Sequence, residues 1–333
     1  MLAAAAIVLL LVAAPGAHGQ QSASPPPLPP PGRLIDVGGW RLHLHCTGER
    51  SATRPTVVLE AGNGDFSVDW SLVQPSVARF GRVCSYDRAG SAWSDLGPRP
   101  RTLHQIVYEL HTLLERAGEP KPYVLVGHSY GGALVRTYRL RYPAEVRGLV
   151  LVDAMSDDPA RIGRDGKVVR SSALATGAPI PDVKTSGPLL ESEIPPRIVE
   201  LISSQLRTIV PHVNDPPRDK LGEDAKRVRA WATAQIKHAA SNDNPVEAEE
   251  LGLLRAERTR RPDPYDGLPL IVLSRGVAED SARDEAARRA EQEEMVRLSR
   301  AGRQIVAARS GHHIPLDEPA VVVSAIRELV RGP

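Results

Sequence analysis

The residues most able to do chemistry lie in the run Tyr123–Gly132, which reads YVLVGHSYGG. A short apolar stretch ends at Ser129, and a helix-compatible stretch follows at once. This is the pattern G-x-S-x-G between a strand and a helix, where the serine must adopt backbone angles that few residues tolerate. Gly127 and Gly131 lie where larger side chains would collide as strand and helix close up. The pattern predicts a nucleophilic hydroxyl at the end of a sheet, beside the positive end of a helix dipole.

A serine hydroxyl is a poor nucleophile unless a neighbouring base takes its proton and a third group orients that base. The segment SGHHIP, residues 310–315, supplies histidine just after the last predicted strand. His312 follows a glycine and is the predicted general base, with His313 as the alternative.

Three carboxylates are candidates for the third group. Asp153 ends the strand that follows the nucleophile's helix, so its strand should neighbour that of Ser129. Glu279 and Asp280 follow a strand predicted over Leu270–Leu273 and are the rivals. We favour Asp153 as the acid and keep the other two open.

A tetrahedral intermediate carries a negative oxygen that needs two N–H donors. The predicted donors are the backbone N–H of Tyr130, at the start of the helix, and that of Asn63 in the turn after the strand Thr56–Glu60. The segment 87–91, DRAGS, is interpreted instead as a structural turn in which Asp87 bonds local backbone N–H groups.

Strands and helices alternate along most of the chain, which predicts a parallel sheet covered on both faces. Thr102 should cap a helix, with Gln105 at the capping-box position, and a closing helix should run from about Pro319 to Val330. The candidate site residues all follow predicted strands, and ligands bind such sheets at the carboxyl ends of the strands. The predicted strands besides the one before Ser129 are Arg41–Cys46, Thr56–Glu60, Arg82–Tyr86, Gly148–Val152, Leu270–Leu273 and Gln304–Ala307.

The predicted organisation has five parts. Residues 1–19 resemble a signal peptide and residues 20–33 a proline-rich linker. Residues 34–154 and 268–333 form the two parts of an α/β core. Residues 155–267 show helical periodicity, over Arg197–Ile209 and Asp224–Ala240, without a clear strand, so we expect a helical cap over the strand ends.

These stretches together resemble the α/β-hydrolase fold superfamily, in its group of serine esterases, lipases and prolyl-aminopeptidase-like enzymes. The matching segments are Val57–Gly64, Ser85–Ser94, Val124–Gly132, Gly148–Asp153 and Ser310–Pro319. The resemblance implies an α/β-hydrolase fold, with a mostly parallel central sheet flanked by helices and a helical cap insertion.

The chain departs from the commonest pattern of that superfamily at two places. Ala61-Gly62 stands where His-Gly is frequent, and no Gly-x-x-Asp follows the strand Leu270–Leu273, the usual place of the acid. The second departure favours Asp153.

The two cysteines, Cys46 and Cys84, suggest a disulfide if the protein is exported, the alternative being two buried free thiols. The strand order of the resembled fold implies that their strands lie side by side. Export is expected because an apolar run from Leu2 to Ala14 precedes a small-x-small site ending at Gly19. The expected location is periplasmic or secreted, with no stable membrane span after cleavage.

The chain has 333 residues and a formal net charge of +2, with acidic and basic residues interspersed. This balance argues against a nucleic-acid partner. We expect no cofactor and no metal, and a small-molecule ester or amide as the substrate. The leading hypothesis is a serine hydrolase that cleaves a carboxylic ester through an acyl-enzyme on Ser129. An aminopeptidase or amidase with the same triad, or a non-catalytic binding protein on the same fold, are the alternatives.

Overall fold

A computed structural model describes residues 28–162, 168–187, 213–239, 243–260, 262–279 and 281–331. The predicted signal peptide and most of the predicted linker therefore lie outside the described residues, as does Asp280. The strands are β1 (Arg33–Asp36), β2 (Arg41–Thr47), β3 (Thr56–Glu60), β4 (Val83–Tyr86), β5 (Tyr123–His128), β6 (Val146–Val152), β7 (Ala160–Ile162), β8 (Val168–Arg170), β9 (Leu270–Arg275) and β10 (Gly302–Ala307). The described α-helices are α1 (Gln74–Val77), α2 (Leu103–Arg116), α3 (Tyr130–Arg141), α4 (Glu223–Thr233), α5 (Ile236–Ala239), α6 (Glu247–Arg260), α7 (Ala282–Val296), α8 (Ile314–Asp317) and α9 (Pro319–Arg331).

Eight strands form one sheet in the order β1-β2-β4-β3-β5-β6-β9-β10. β1 and β2 are antiparallel to their neighbours, and the pairs from β4 across to β10 are parallel. The α/β-hydrolase fold class, with its mostly parallel sheet, is therefore confirmed. Because the strands that precede Ser129 and Asp153 are direct neighbours, their carboxyl ends meet at one edge of the sheet.

Helices cover both faces of this sheet. On one face α2 and α3 pack with residues such as Leu110 and Leu134, while on the other α9 contributes residues such as Val322 and Ile326. The central strands β3, β5 and β9 are buried along their whole length, which explains why they read as continuous apolar runs.

Local sequence signals set the helix ends as predicted. The Thr102 side chain accepts a hydrogen bond from the backbone N–H of Gln105 at 3.0 Å, so the predicted N-cap of α2 is present. Gly118, with φ of +66°, follows the C-terminal end of that helix in the left-handed conformation that glycine favours. The closing helix α9 ends one residue beyond its predicted limit.

The insertion, residues 155–267, differs in part from its prediction. Its described residues include α4, α5 and α6, but also the antiparallel pair of β7 and β8, which the sequence pattern does not predict. Each of these strands has only three residues, too few to show a period of two in the sequence. The helix expected over Arg197–Ile209 lies outside the described residues. Within the described part of the chain, no helix combines the length and apolarity needed to cross a membrane.

A disulfide joins Cys46 to Cys84, as the strand order of the resembled fold implied. The two residues are direct partners in the antiparallel register of β2 and β4, with their Cα atoms 4.0 Å apart. The bond therefore ties the antiparallel edge of the sheet to its parallel part.

We predict that replacing both cysteines by serine lowers the free energy of unfolding. The bond links positions 38 residues apart, and the chain-entropy estimate for such a loop is about 3–4 kcal/mol. Urea unfolding of oxidised wild type and of the double variant measures the difference. Dithiothreitol should remove the difference by destabilising only the wild type. Two titratable thiols in denatured, unreduced protein from an oxidising compartment would contradict the bridge.

Candidate active site

Ser129 occupies the sharp turn between β5 and α3 with φ of +52° and ψ of −120°. A Cβ atom on Gly127 would collide with the carbonyl oxygen of Gly131, and one on Gly131 would lie 2.5 Å from the carbonyl oxygen of Glu60. Backbone atoms cannot move aside as a flexible side chain can, so both positions require glycine. The turn leaves Ser129 half-buried at the end of the sheet, where solvent reaches it.

Backbone hydrogen bonds fix the turn of Ser129 to the end of β6. The N–H of Ser129 donates to the carbonyl of Val152 at 3.0 Å, and the N–H of Met155 donates to the carbonyl of Ser129 at 2.9 Å. Asp153, between them, donates its N–H to Leu273 on β9 at 2.7 Å. The serine and Asp153 therefore occupy rigidly connected strand ends.

The structure brings Asp153 and His312 together. The Nδ1 atom of His312 lies 2.6 Å from Oδ2 of Asp153, whose side chain is fully buried. The His312 side chain keeps 27% of its surface exposed, so its ring can meet a substrate. Asp153 has a φ of +39°, a conformation that aspartate and asparagine tolerate better than most residues.

Arg288 of α7, whose part in the site the sequence pattern does not predict, donates to the same carboxylate. Its Nη2 atom also lies 3.2 Å from Nδ1 of His312. Burial by itself would raise the pKa of Asp153, but the hydrogen bond from His312 and the charge of Arg288 outweigh it and lower the pKa to about 2. The carboxylate is thus ionised at neutral pH.

Glu279 contacts the loop of His312 but not its ring. Its Oε1 atom accepts the backbone N–H of His312 at 3.1 Å, and its Oε2 atom pairs with Arg275 at 2.7 Å. Arg275 also binds Glu285, which in turn accepts the backbone N–H of Glu279. Glu279 is therefore placed to hold the histidine loop, whereas Asp153 faces the imidazole.

His128 and His313 flank the predicted base. The Nε2 atom of buried His128 donates to the carbonyl of His312 at 2.9 Å, which fixes the histidine loop against the residue before Ser129. Burial lowers the pKa of His128 to about 3, and burial also lowers the pKa of His313. The ring centroid of His313 lies 5.4 Å from those of His128 and His312, on the side of Asp65.

Asp65, His128 and His313 present ligand atoms within 4.8 Å of one another, a spacing that a metal ion could bridge. Two guanidinium groups already occupy Oδ1 of Asp65, that of Arg229 at 3.0 Å and that of Arg218 at 3.2 Å. A cation there would be repelled by both guanidinium charges. In addition, the Nε2 atom of His128 is already bonded to the backbone carbonyl of His312. The group does not fit a metal centre.

The predicted oxyanion donors lie on adjoining segments. Tyr130 is the first residue of α3, where N–H groups have no acceptor within the helix. Asn63 is exposed in the oxyanion loop, residues 61–65, which follows β3. A Cβ on Gly131 would lie 2.6 Å from the carbonyl oxygen of Ala61, so the helix start and this loop are in close contact.

Asp87 makes a local contact as expected, because its Oδ2 atom accepts the backbone N–H of Trp93 at 3.5 Å, but its carboxylate also binds two distant segments. Its Oδ1 atom accepts the N–H of Ser67, twenty positions earlier, at 2.9 Å, and its Oδ2 atom lies 2.8 Å from Nδ1 of His43. The turn is structural, as predicted, but its carboxylate connects distant segments. Arg88, beside it, reaches into the oxyanion loop.

The insertion is attached to the core through buried charges. Arg229 of α4 donates to Asp65, the last residue of the oxyanion loop, at 3.0 Å and to Asp69 at 2.5 Å. Glu250 of α6 accepts the N–H groups of Leu103 and His104, the first two residues of α2, at 2.7 and 2.9 Å. A carboxylate is well suited to a helix N-terminus. These contacts were not predicted, because the partners lie about 150 positions apart in sequence.

Comparison with known proteins agrees with this architecture. Residues 55–170 match the family model described as the alpha/beta hydrolase fold. The chain is 25% identical over 289 residues to an AB hydrolase superfamily protein of Gibberella zeae, covering 84% of this chain and 87% of that protein. It is also 35% identical over 129 residues to the protein named "Probable transporter efuK" of Hormonema carpetanum, 37% of this chain but only 18% of that protein.

Among solved structures, a thermophilic esterase from Thermogutta terrifontis has the same fold. The TM-score is 0.62 at 17% sequence identity, and the alignment covers 90% of this chain and 98% of that one. At this identity the likeness extends to the fold alone.

We predict that Asp153→Asn is destabilising by an amount that depends on pH. The pKa of Asp153 is about 2 in the folded protein against an ordinary 3.8, so the ionised carboxylate stabilises the fold above about pH 4. This contribution is about 2 kcal/mol at pH 7 and is lost as the pH falls through 2, with about half gone by pH 3. Asparagine keeps the shape and tolerates the positive φ.

Urea unfolding of wild type and variant at pH 7 and pH 3 measures the effect. Asp224→Asn is the matched control, because the Asp224 side chain is 91% exposed. If Asp153→Asn lowers the free energy of unfolding by the same amount at pH 7 and pH 3, the predicted link between the pKa of Asp153 and stability is contradicted.

Proposed function

Since this chain belongs to the α/β-hydrolase superfamily, we propose that it is a serine hydrolase that cleaves a carboxylic ester through an acyl-enzyme on Ser129. The observation that carries the proposal is the pairing of His312 with buried Asp153 at the strand end next to the strained turn of Ser129. A half-buried serine in such a turn is costly for a merely structural role, since positive φ at a non-glycine residue carries strain.

In the proposed mechanism the Oγ atom of Ser129 attacks the ester carbonyl carbon while Nε2 of His312 takes its proton. Asp153 holds Nδ1–H of His312 and stabilises the imidazolium that forms, without itself being protonated. Collapse of the tetrahedral intermediate breaks the carbon–oxygen bond to the alcohol, which leaves with the proton from His312. A water molecule, deprotonated by the same histidine, then hydrolyses the acyl-serine and restores the free serine.

Asp153 is the proposed acid rather than Glu279 or Asp280. Its oxygen lies 2.6 Å from the imidazole nitrogen, whereas Glu279 binds the backbone N–H of His312. Asp280 lies outside the described residues. The proposed oxyanion donors remain the backbone N–H groups of Tyr130 and Asn63.

The ester is favoured over an aminoacyl substrate by the charges near the site. An aminopeptidase must bind a positive amino group, which calls for an available carboxylate. Among the described residues in or beside the oxyanion loop, Glu60 pairs with Arg88. Asp65 and Asp69 share Arg229, and Asp65 also pairs with Arg218. Each of these carboxylates is already neutralised by a guanidinium group, so none of them is available for an ammonium ion.

We predict that a fluorophosphonate probe labels Ser129 in the wild type and leaves folded Ser129→Ala unlabelled. Loss of the nucleophile in such a triad costs about 10⁴-fold or more in kcat, and His312→Ala should be about as damaging because the two residues act as a unit. His313→Ala is the matched control and should be milder. Hydrolysis of p-nitrophenyl esters of graded chain length against aminoacyl p-nitroanilides separates the esterase from the amidase alternative. Absence of labelling in folded wild type would favour the non-catalytic binding protein.

We predict that Asp153→Asn reduces kcat by about 10⁴-fold, since asparagine cannot stabilise the imidazolium. Glu279→Gln should retain most activity, because an amide oxygen still accepts the backbone N–H of His312. Steady-state kinetics of the two purified variants decide the acid. A loss at Glu279→Gln equal to that at Asp153→Asn would exclude our assignment.

We also propose that the protein is exported to the periplasm or the medium. The apolar run at residues 2–14 and the Cys46–Cys84 bond support this, because disulfides persist in oxidising compartments. N-terminal sequencing of exported protein should begin at Gln20, and retention of the full-length chain in the cytosol would refute the proposal.

A further inference from the structure

We propose that Arg88 is a positioning residue that aims the backbone donors of the oxyanion loop, an inference that rests on the hydrolase function proposed above. Arg88 follows β4 and its side chain is 2% exposed. Its Nη1 atom donates to Oε1 of Glu60 at 2.7 Å and to the carbonyl of Ala61 at 2.8 Å, and its Nη2 atom donates to the carbonyl of Gly62. One guanidinium group thus binds two successive peptide units of the loop.

The direction of a carbonyl sets the direction of the N–H in the same peptide unit. The unit is planar and trans, so its C=O and N–H point in opposite directions. When Arg88 binds the carbonyl of Ala61, the N–H of Gly62 must point away from the guanidinium. By the same argument the bound carbonyl of Gly62 turns the N–H of Asn63 away. Arg88 therefore orients two consecutive N–H groups by binding the carbonyls on the opposite side of their peptide units, without contacting a substrate.

These two N–H groups have no other role in the fold. Within the described parts of the chain neither the N–H of Gly62 nor that of Asn63 meets an acceptor, whereas the N–H of Asp65 bonds the carbonyl of Gly62. Backbone N–H groups are seldom left without a partner unless water or a ligand supplies one. A negative oxygen formed at Ser129 is such a partner under the proposed mechanism.

The position requires arginine and not another cation. Glu60 is buried, and burial raises its pKa while the charge of Arg88 opposes that rise. Tyr86 donates to the second oxygen of Glu60, which fixes the carboxylate that binds the Arg88 guanidinium. The planar fork of arginine reaches the Glu60 carboxylate and both loop carbonyls at fixed angles, while a lysine ammonium is a single point of charge on a flexible stem. Lysine would keep the ion pair with Glu60 but lose the hydrogen bond to one or both of the carbonyls of Ala61 and Gly62.

Arg88 also touches the other half of the predicted oxyanion site. Its guanidinium carbon lies 5.8 Å from the centre of the Tyr130 ring, and Tyr130 supplies the second predicted donor. Gly131, the next residue, packs against the carbonyls of Glu60 and Ala61. Arg88 and its contacts thus fix the spacing between the helix start and the oxyanion loop.

The experiment compares full-length wild type, Arg88→Lys and Tyr86→Phe. Tyr86→Phe is the matched control, because it removes the hydrogen bond from Tyr86 to Glu60 without changing the group that binds the two loop carbonyls. The first readout is kcat and KM for a p-nitrophenyl ester, with inhibition by a trifluoromethyl ketone, whose adduct with serine carries the oxyanion. The second is deuterium exchange of the backbone in residues 61–65, which does not depend on activity.

Arg88→Lys should lose about 10²-fold in kcat with KM changed by less than about threefold, since an oxyanion donor acts mainly in the transition state. Trifluoromethyl ketone inhibition should weaken by a similar factor, and exchange in residues 61–65 should accelerate. Tyr86→Phe should stay close to wild type in kcat, in trifluoromethyl ketone inhibition and in deuterium exchange. If Arg88→Lys does not fold, the double variant Glu60→Gln/Arg88→Met replaces it and is compared with wild type, because removing both partners leaves no charge buried alone.

The inference is overturned if the arginine variant keeps the wild-type kcat and exchange rate. It is also overturned if Tyr86→Phe loses as much as Arg88→Lys, because general loosening around Glu60 would then explain both. Failure of the proposed function is distinguishable, since it appears as folded wild type that a fluorophosphonate does not label. In that case accelerated exchange in Arg88→Lys alone still supports the role of Arg88 in ordering the loop, and unchanged exchange refutes it.

Discussion

Ser129 is held at a φ of +52°, a conformation that side chains other than glycine seldom adopt and that costs on the order of 1–3 kcal/mol. Such a turn persists only where its surroundings permit no alternative. Glycines at 127 and 131 let strand, helix and oxyanion loop approach to backbone contact. Hydrogen bonds to Val152 and Met155 then hold the turn on the neighbouring strand end. The placement of the loops around the candidate site follows from this single constraint.

Buried charges do most of the positioning around that turn. Arg88, Arg229 and Arg288 each bind a carboxylate that is almost fully buried. A buried ion pair contributes little more to stability than a well-packed apolar pair in its place, because desolvation of both charges offsets their attraction. Its geometry is nevertheless strict, since a small displacement leaves a charge without its partner. The core near the site is therefore ordered by directional contacts, while the two faces of the sheet are held by apolar packing.

The features that could be predicted from sequence depend on neighbours along the chain. The cap of α2 by Thr102 and the turn at Ser129 each follow from residues within a few positions. The strand order then placed Asp153 near His312, although 159 positions separate them. The roles of Ser129, Asp153 and His312 in catalysis stay predictions.

Contacts between polar residues that lie far apart in sequence could not be predicted. Arg288 lies in a charged helix whose sequence gives no sign that one of its arginines meets the carboxylate of Asp153. Most charged residues on such helices face solvent, so periodicity does not distinguish this one. The short strands β7 and β8 were missed for a related reason, because three residues carry too little pattern.

The attachment of Glu250 to the N-terminus of α2 has a consequence for chimaeras of this protein. The carboxylate belongs to the insertion, while the N–H groups that it caps belong to the core. An insertion taken from another chain would leave those N–H groups uncapped unless it brought an acid to the same place. Conversely, this insertion on a foreign scaffold would bury Glu250 and Arg229 without their counterparts. The two parts are therefore interdependent pieces of one structure and not interchangeable modules.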